Sequence, residues 1–202
     1  LRILPAGQLA IAPRYAFTVL ALPWDINTSR HTRRDPMAIT RVNHTGISVS
    51  DMERSLTFYR DLLELEVIFD SDVPENTRLS EVVGMKQATG RVVWLRAGDT
   101  MIELWQWDTP RGRALPDDYI PADKGVTHFA LQTDDVNSLY RKVVEAGYPA
   151  NSPPRDLGLH LTTYIKGPDD EIIEILEDRA TDEWLRELTG ASLAARRQRN
   201  QQ

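Results

Sequence analysis

The chain has 202 residues, 41% hydrophobic and 27% charged, with 24 Lys+Arg against 30 Asp+Glu and a net charge of −6. That is the composition of one or two globular domains, and a weakly acidic chain lacks the basic face that nucleic-acid backbone binding requires. It has no cysteines, which excludes disulfides, thiolate metal sites and a cysteine nucleophile, and only four histidines: His31, His44, His128 and His160.

Residues 1–36 carry five Arg against two Asp, leaving a charge of −9 on the rest of the chain. Their apolar run, Tyr15 to Trp24, is interrupted by Thr18 and Pro23 and is shorter than the ~20 residues of a membrane span. No small-residue cleavage site follows it. The segment reads as a non-catalytic extension, with a targeting or docking arm as the alternative, and the expected location is cytoplasmic. From Val42 the pattern alternates as a strand does, and Ser50 and Glu53 have capping-box spacing at the start of a helix over about Met52–Leu63. Extended stretches follow at Leu65–Asp70, Arg91–Ala97 and Thr100–Trp107, the last two joined by Gly98-Asp99. Between the first two, Ser71–Gly90 reads as a surface loop with a short helical piece.

After a linker over 109–124 the order repeats. A strand begins at Val126, a helix covers about Val136–Ala146 and stops at Gly147, and extended stretches lie near Tyr148–Asn151, His160–Lys166 and Glu171–Glu177. Val42–Met52 aligns with Val126–Val136 at a constant offset of 84, with Val, His and Asp coincident. Ile102-Glu103-Leu104 corresponds to Ile173-Glu174-Ile175 at an offset of 71. The expected fold is therefore α+β, a domain over 37–178 made of two strand–helix–three-strand modules (about 40–108 and 125–178). Residues 179–202 are expected to form an amphipathic helix carrying Trp184, Leu185, Leu188 and Leu193, ending in a basic polar tail.

Each module places one His on its first strand and one Glu on its last. Strand alternation puts His44 on one face with Val42, Gly46 and Ser48, while Ile47 and Val49 turn toward the helix. His128, Ala130 and Gln132 share the equivalent face of the second module. If the two sheets curl together, His44, Glu103, His128 and Glu174 converge into a two-imidazole, two-carboxylate site suited to one divalent ion: Ni, Co, Zn, Mn or Fe(II). For any of these residues alone, a structural or solvated role is the commoner outcome. The repetition is what favours ligands. Trp105 and Trp107, on the face of Glu103, read equally as a substrate wall or as core, and with Ser48 and Gln132 they define the candidate cleft.

The segments Val42-Asn43-His44-Thr45-Gly46-Ile47-Ser48-Val49, Ser55 with Phe58-Tyr59-Arg60, Ile102-Glu103-Leu104, His128-Phe129-Ala130-Leu131 and Gly167-Pro168-Asp169 with Ile173-Glu174 resemble the vicinal oxygen chelate superfamily. That group includes glyoxalase I, methylmalonyl-CoA epimerase, extradiol dioxygenases and bleomycin-resistance proteins. The resemblance covers roughly 40–178 and implies paired βαβββ modules forming a curled, cup-shaped mixed sheet with the helices on its outer face. Carried over by position, it implies His44, Glu103, His128 and Glu174 as metal ligands.

The family's shared chemistry is bidentate binding of vicinal oxygens, which stabilises an enolate. The ligand set resembles bacterial glyoxalase I, where one Glu can leave the metal and act as base, so Glu103 and Glu174 are also candidate catalytic groups. The expected function is a metal-dependent isomerase, epimerase or lyase on a small oxygen-rich substrate, with no nucleic-acid or membrane partner. An extradiol dioxygenase using Fe(II), His44, His128 and Glu174 is the alternative; Tyr164, ten residues before Glu174, matches that group's pattern. His160, in alternating register with Thr162 and Tyr164, is a candidate acid or base. A metal-free binding protein of the bleomycin-resistance kind is the third reading. Whether the modules close on each other in one chain or pair across a homodimer is open.

Overall fold

The computed structural model describes residues 39–199. The expectations for residues 1–36 and for the side chains of the basic tail lie outside that description. The first module runs β1 (His44–Ser48), α1 (Met52–Leu56), β2 (Glu66–Val73), α2 (Thr77–Val83), β3 (Thr89–Ala97) and β4 (Thr100–Thr109). The second runs β5 (Phe129–Gln132), α3 (Val136–Glu145), β6 (Arg155–Asp156), β7 (His160–Lys166) and β8 (Ile172–Asp178), and α4 (Asp182–Arg199) follows. The strand orders are β1-β4-β3-β2 and β5-β8-β7-β6. In each sheet the first strand lies parallel to the last and the other pairings are antiparallel. Two four-stranded mixed sheets built on one βαβββ plan confirm the expected fold class, and α2 is the short helix expected within Ser71–Gly90.

Several local details differ from expectation. α1 is capped by Asp51, whose side chain accepts from the Arg54 amide at 3.0 Å. The expected capping box does not form, because Ser50 Oγ accepts from Arg54 Nη2 and Glu53 reaches Arg91. Beyond Leu56 the helix widens to π geometry over Thr57–Leu62. There the adjacent rings Phe58 and Tyr59 are both fully buried, a placement that widened turns favour over the regular 100° step. Gly147 ends α3 as expected: with φ +89° it supports the paired bonds Tyr148 N–H to Val143 O and Gly147 N–H to Val144 O of a Schellman motif. The expected strand at Tyr148–Asn151 is only a bridge between Ala150 and Ile165, the sheet edge being β6 instead. Pro149 interrupts the run and has no N–H for a ladder.

The helix-facing positions form a core common to both modules. Met52, Leu56, Phe58, Tyr59, Val93, Leu95, Ile102 and Leu104 join Val136, Val143, Ile165, Ile173 and Ile175 in one buried cluster. Phe58 lies 4.5 Å from Tyr148 of the second module, centroid to centroid. The opposite face of each sheet carries the candidate residues. In α4, Leu185 and Leu188 stay 40% and 43% exposed while Trp184 is half-buried, so the expected amphipathic helix packs at its first turn more than along its length. No helix among the described residues is long and apolar enough to cross a membrane.

Candidate metal centre

The β1–β4 register sets Gly46 beside Glu103 and Ser48 beside Trp105, so His44 and Glu103 emerge on the same open face. His44 Nε2 stands 3.6 Å from Glu103 Oε2. The other carboxylate oxygen, Oε1, accepts the indole N–H of Trp94 at 2.8 Å. The other ring nitrogen of His44, Nδ1, lies 2.9 Å from Asn43 Oδ1. An amide oxygen only accepts, so the neutral ring carries its proton on Nδ1 and turns the Nε2 lone pair toward the carboxylate.

The second module repeats this arrangement. His128 Nε2 is 3.5 Å from Glu174 Oε2, Glu174 Oε1 accepts from the Thr162 hydroxyl at 2.8 Å, and His128 Nδ1 is 3.2 Å from Thr127 Oγ1. Tyr164, opposite Glu174 in the β7–β8 register, adds a phenol 3.2 Å from His128 Nε2. Burial first, and the Glu174 charge second, push that phenol above its ordinary pKa, so it stays protonated and able to donate. Exposure is matched as well: 44% and 16% for the His44 and Glu103 side chains, 33% and 14% for His128 and Glu174. Both carboxylates are largely sheltered while both imidazoles remain reachable.

Two donors each about 2.1 Å from a tetrahedral ion stand about 3.4 Å apart. The His–Glu separations of 3.6 and 3.5 Å fit that span. Each carboxylate also keeps one oxygen on a fixed donor and presents the other, the orienting arrangement that metal ligands characteristically have. The four candidate ligands thus come together as two pairs. Among the described residues no group of three or more His, Asp or Glu is close enough to hold an ion.

The remaining candidates separate. Ser48 Oγ accepts from Trp107 Nε1 at 3.2 Å, placing Ser48, Trp105 and Trp107 on the His44 face. Gln132 lies two residues past Ala130 on the His128 face, beside Leu176. His160 does not join the pair. It lies four residues from Tyr164, about 13 Å along the strand, with Nδ1 3.4 Å from Asp178 Oδ1 and no hydrogen bond. Trp94, Asn43 and Thr162 were not singled out from sequence. For Trp94 the signal was available: counting outward from the Gly98-Asp99 turn puts it opposite Glu103.

Replacing Trp94 with Phe should keep the ring but remove the N–H that holds Glu103. We expect about a 10–100-fold loss of metal affinity in a chelator competition, with metal binding unchanged if that bond is idle.

Residues 41–175 match the Glyoxalase/Bleomycin resistance protein/Dioxygenase superfamily. A lactoylglutathione lyase from Neisseria meningitidis is 25% identical over 146 residues, 71% of this chain and 94% of that protein. The mitochondrial methylmalonyl-CoA epimerase of Bos taurus is 24% identical over 164 residues, 79% of this chain and 85% of that protein. Among solved structures, a glyoxalase family protein from Bacillus cereus superposes with a TM-score of 0.64 at 16% identity, covering 73% of this chain and all of that one. With the fold, the internal repeat and this match over two thirds of its length, the chain belongs to the glyoxalase/bleomycin resistance/dioxygenase superfamily.

Proposed function

We propose that this protein is a metal-dependent isomerase, epimerase or lyase that moves a proton on a small, oxygen-rich carbon acid. The observation that carries the reading is the repeated His–Glu pair, each with its Nε2 and one carboxylate oxygen at ligand spacing. A divalent ion held by His44, Glu103, His128 and Glu174 would act as a Lewis acid toward the vicinal oxygens of the substrate. Names of the relatives agree with this class, since a lyase and an epimerase are both among them.

Glu174 is the better placed base. Glu103 Oε1 has the single proton of Trp94 to itself, whereas the one proton of Thr162 Oγ1 faces both Glu174 Oε1 at 2.8 Å and Ile175 O at 3.0 Å. Glu174 is therefore the less firmly held carboxylate, free to take a proton, and the Tyr164 hydroxyl beside it can donate to a substrate oxygen. His160 has no role in this scheme. The firm hold of Trp94 on Glu103 favours four donors over the three of an Fe(II) dioxygenase, and the ligand pairs themselves favour an enzyme over a metal-free binder.

Two pairs on open faces turned away from a common core complete one site when a second copy brings its second module to the first module of its partner. The assembly proposed is a homodimer with two shared sites. Metal analysis should find about one divalent ion per chain. Mixing a His44→Ala/Glu103→Ala chain with a His128→Ala/Glu174→Ala chain, each inactive alone, should restore about one quarter of wild-type activity, because half the dimers are mixed and each has one intact site. A site confined to one chain restores none.

A further inference from the structure

Rings dominate the open face of the first module. Trp105 and Trp107 follow Glu103 at alternate positions of β4, so all three side chains leave the same face. Alternate strand residues are about 6.6 Å apart, yet the two indoles lie 4.1 Å apart between centroids and within 2° of parallel. They have leaned together into a slab. Opposite them on β3 stand Val92 and Gly90, small residues that do not push the indoles away from the sheet. Trp94 lies next in the same surface, its N–H engaged by Glu103 and its ring 5.1 Å from Phe69 on β2.

The repeat supplies an internal control. The second module has Tyr164 at the position of Trp94, Leu176 at that of Trp105 and Asp178 at that of Trp107. Both modules carry the His–Glu pair, but only the first carries the slab, so ligand geometry alone does not require it. Charge narrows the occupant further. The β3 cation opposite Met101 is Arg96, which is paired with Glu66 at 2.9 Å. Ser48, Trp94, Trp105 and Trp107 offer apolar ring faces and a hydroxyl, a surface suited to an uncharged planar group more than to phosphates or a peptide.

We infer that Trp94, Trp105 and Trp107 form the recognition platform of this site, and that its substrate carries an aromatic or extended conjugated group next to its vicinal oxygens. The inference rests on the metal-dependent reading above for the oxygen-binding end only. Stacking against such a slab is worth up to about tenfold in affinity per ring contact.

Two probes share one hydroxyl–carbonyl head and differ in the group beside it: hydroxyacetone, with a methyl, and 2-hydroxyacetophenone, with a phenyl. Titrated into the full chain loaded with Co(II), and followed by calorimetry and tryptophan quenching, the phenyl probe should bind about tenfold or more tightly. Trp105→Ala and Trp107→Ala should each cut that preference to about threefold or less with bound cobalt unchanged, and Trp105→Phe and Trp107→Phe should restore most of it. Equal binding of the two probes, no binding of either, or a preference untouched in both alanine variants overturns the platform. If the chain holds no cobalt yet keeps a tryptophan-dependent phenyl preference, the platform stands and the metal-dependent reading falls. If cobalt binds and no preference exists, the reverse holds.

Discussion

Glu174→Gln should fold as the wild type does and exchange carbon-bound hydrogen about 10²–10⁴-fold more slowly, the usual contribution of a positioned base. The assay is deuterium uptake from solvent into the carbinol carbon of 2-hydroxyacetophenone, followed by NMR on the metal-loaded protein. The amide keeps the shape of the side chain and one oxygen that can accept from Thr162, but it cannot take a proton. Glu103→Gln should behave differently. Its loss is expected in metal retention, about 10–100-fold, with exchange recovering at high metal concentration, because the Trp94 bond fixes that carboxylate in the position proposed for a ligand. His128→Ala should lose both properties, since it removes the Nε2 donor and the partner of the Tyr164 hydroxyl. If Glu174→Gln, with metal bound, exchanges within about threefold of wild type, Glu174 is not the base. If instead Glu103→Gln shows the unrecoverable loss, the two carboxylates have exchanged roles.

Most of this architecture was legible because the chain describes itself twice. The 84-residue offset between His44 and His128, and the 71-residue offset between Glu103 and Glu174, located both ends of both sheets without reference to propensity. Parity on a strand then assigned the faces. What escaped lies where local signals compete. Ser50 and Asp51 are both good caps, and the chain uses Asp51: Arg54 takes the Ser50 hydroxyl, and the Ser50 amide that Glu53 would meet in a capping box binds Asp169 Oδ2 at 3.1 Å instead. The expected strand at Tyr148–Asn151 failed at Pro149, where alternation looked right but the hydrogen-bonding donor was missing. His160 has the correct parity and the wrong distance, since a face is shared by the whole strand and a site by only a few residues of it. The division of the four candidate ligands into two pairs could not be read from spacing, because it depends on how two modules pack around one core.

That packing is fixed at one point by a half-buried carboxylate, whose removal should have the largest effect on stability of any polar change outside the site. Tyr59, fully buried in the first module, donates to Glu171 Oε1 of the second at 2.5 Å. Glu171 Oε2 accepts from the Asp169 amide at 2.8 Å, and Asp169 holds Arg54 at 2.8 Å. The Glu171 carboxyl lies so close over Gly167 that a Cβ there would come within 2.2 Å of it. Burial raises the Glu171 pKa above the ordinary glutamate value, and the bonds from Tyr59 and the Asp169 amide pull it back only in part. The folded state therefore holds this proton at a pH where the unfolded chain has released it. Stability from this group is complete below the unfolded value and is lost as pH rises through the folded one. Glu171→Gln carries no ionisation, so its melting temperature should gain on wild type as pH goes from about 4 to about 7. Tyr59→Phe should show the opposite trend relative to wild type. The Tyr59 phenol, raised well above its ordinary pKa by burial and by Glu171, remains a donor throughout, and its bond is worth about 1.5–3 kcal/mol to a charged acceptor and about 1 to a neutral one. Its removal should thus cost more at pH 7 than at pH 4 in denaturant titrations. A Glu171→Gln melting difference that stays flat would mean that folding does not raise the Glu171 pKa, and a flat Tyr59→Phe cost would mean that the Tyr59 bond does not depend on the ionisation of Glu171.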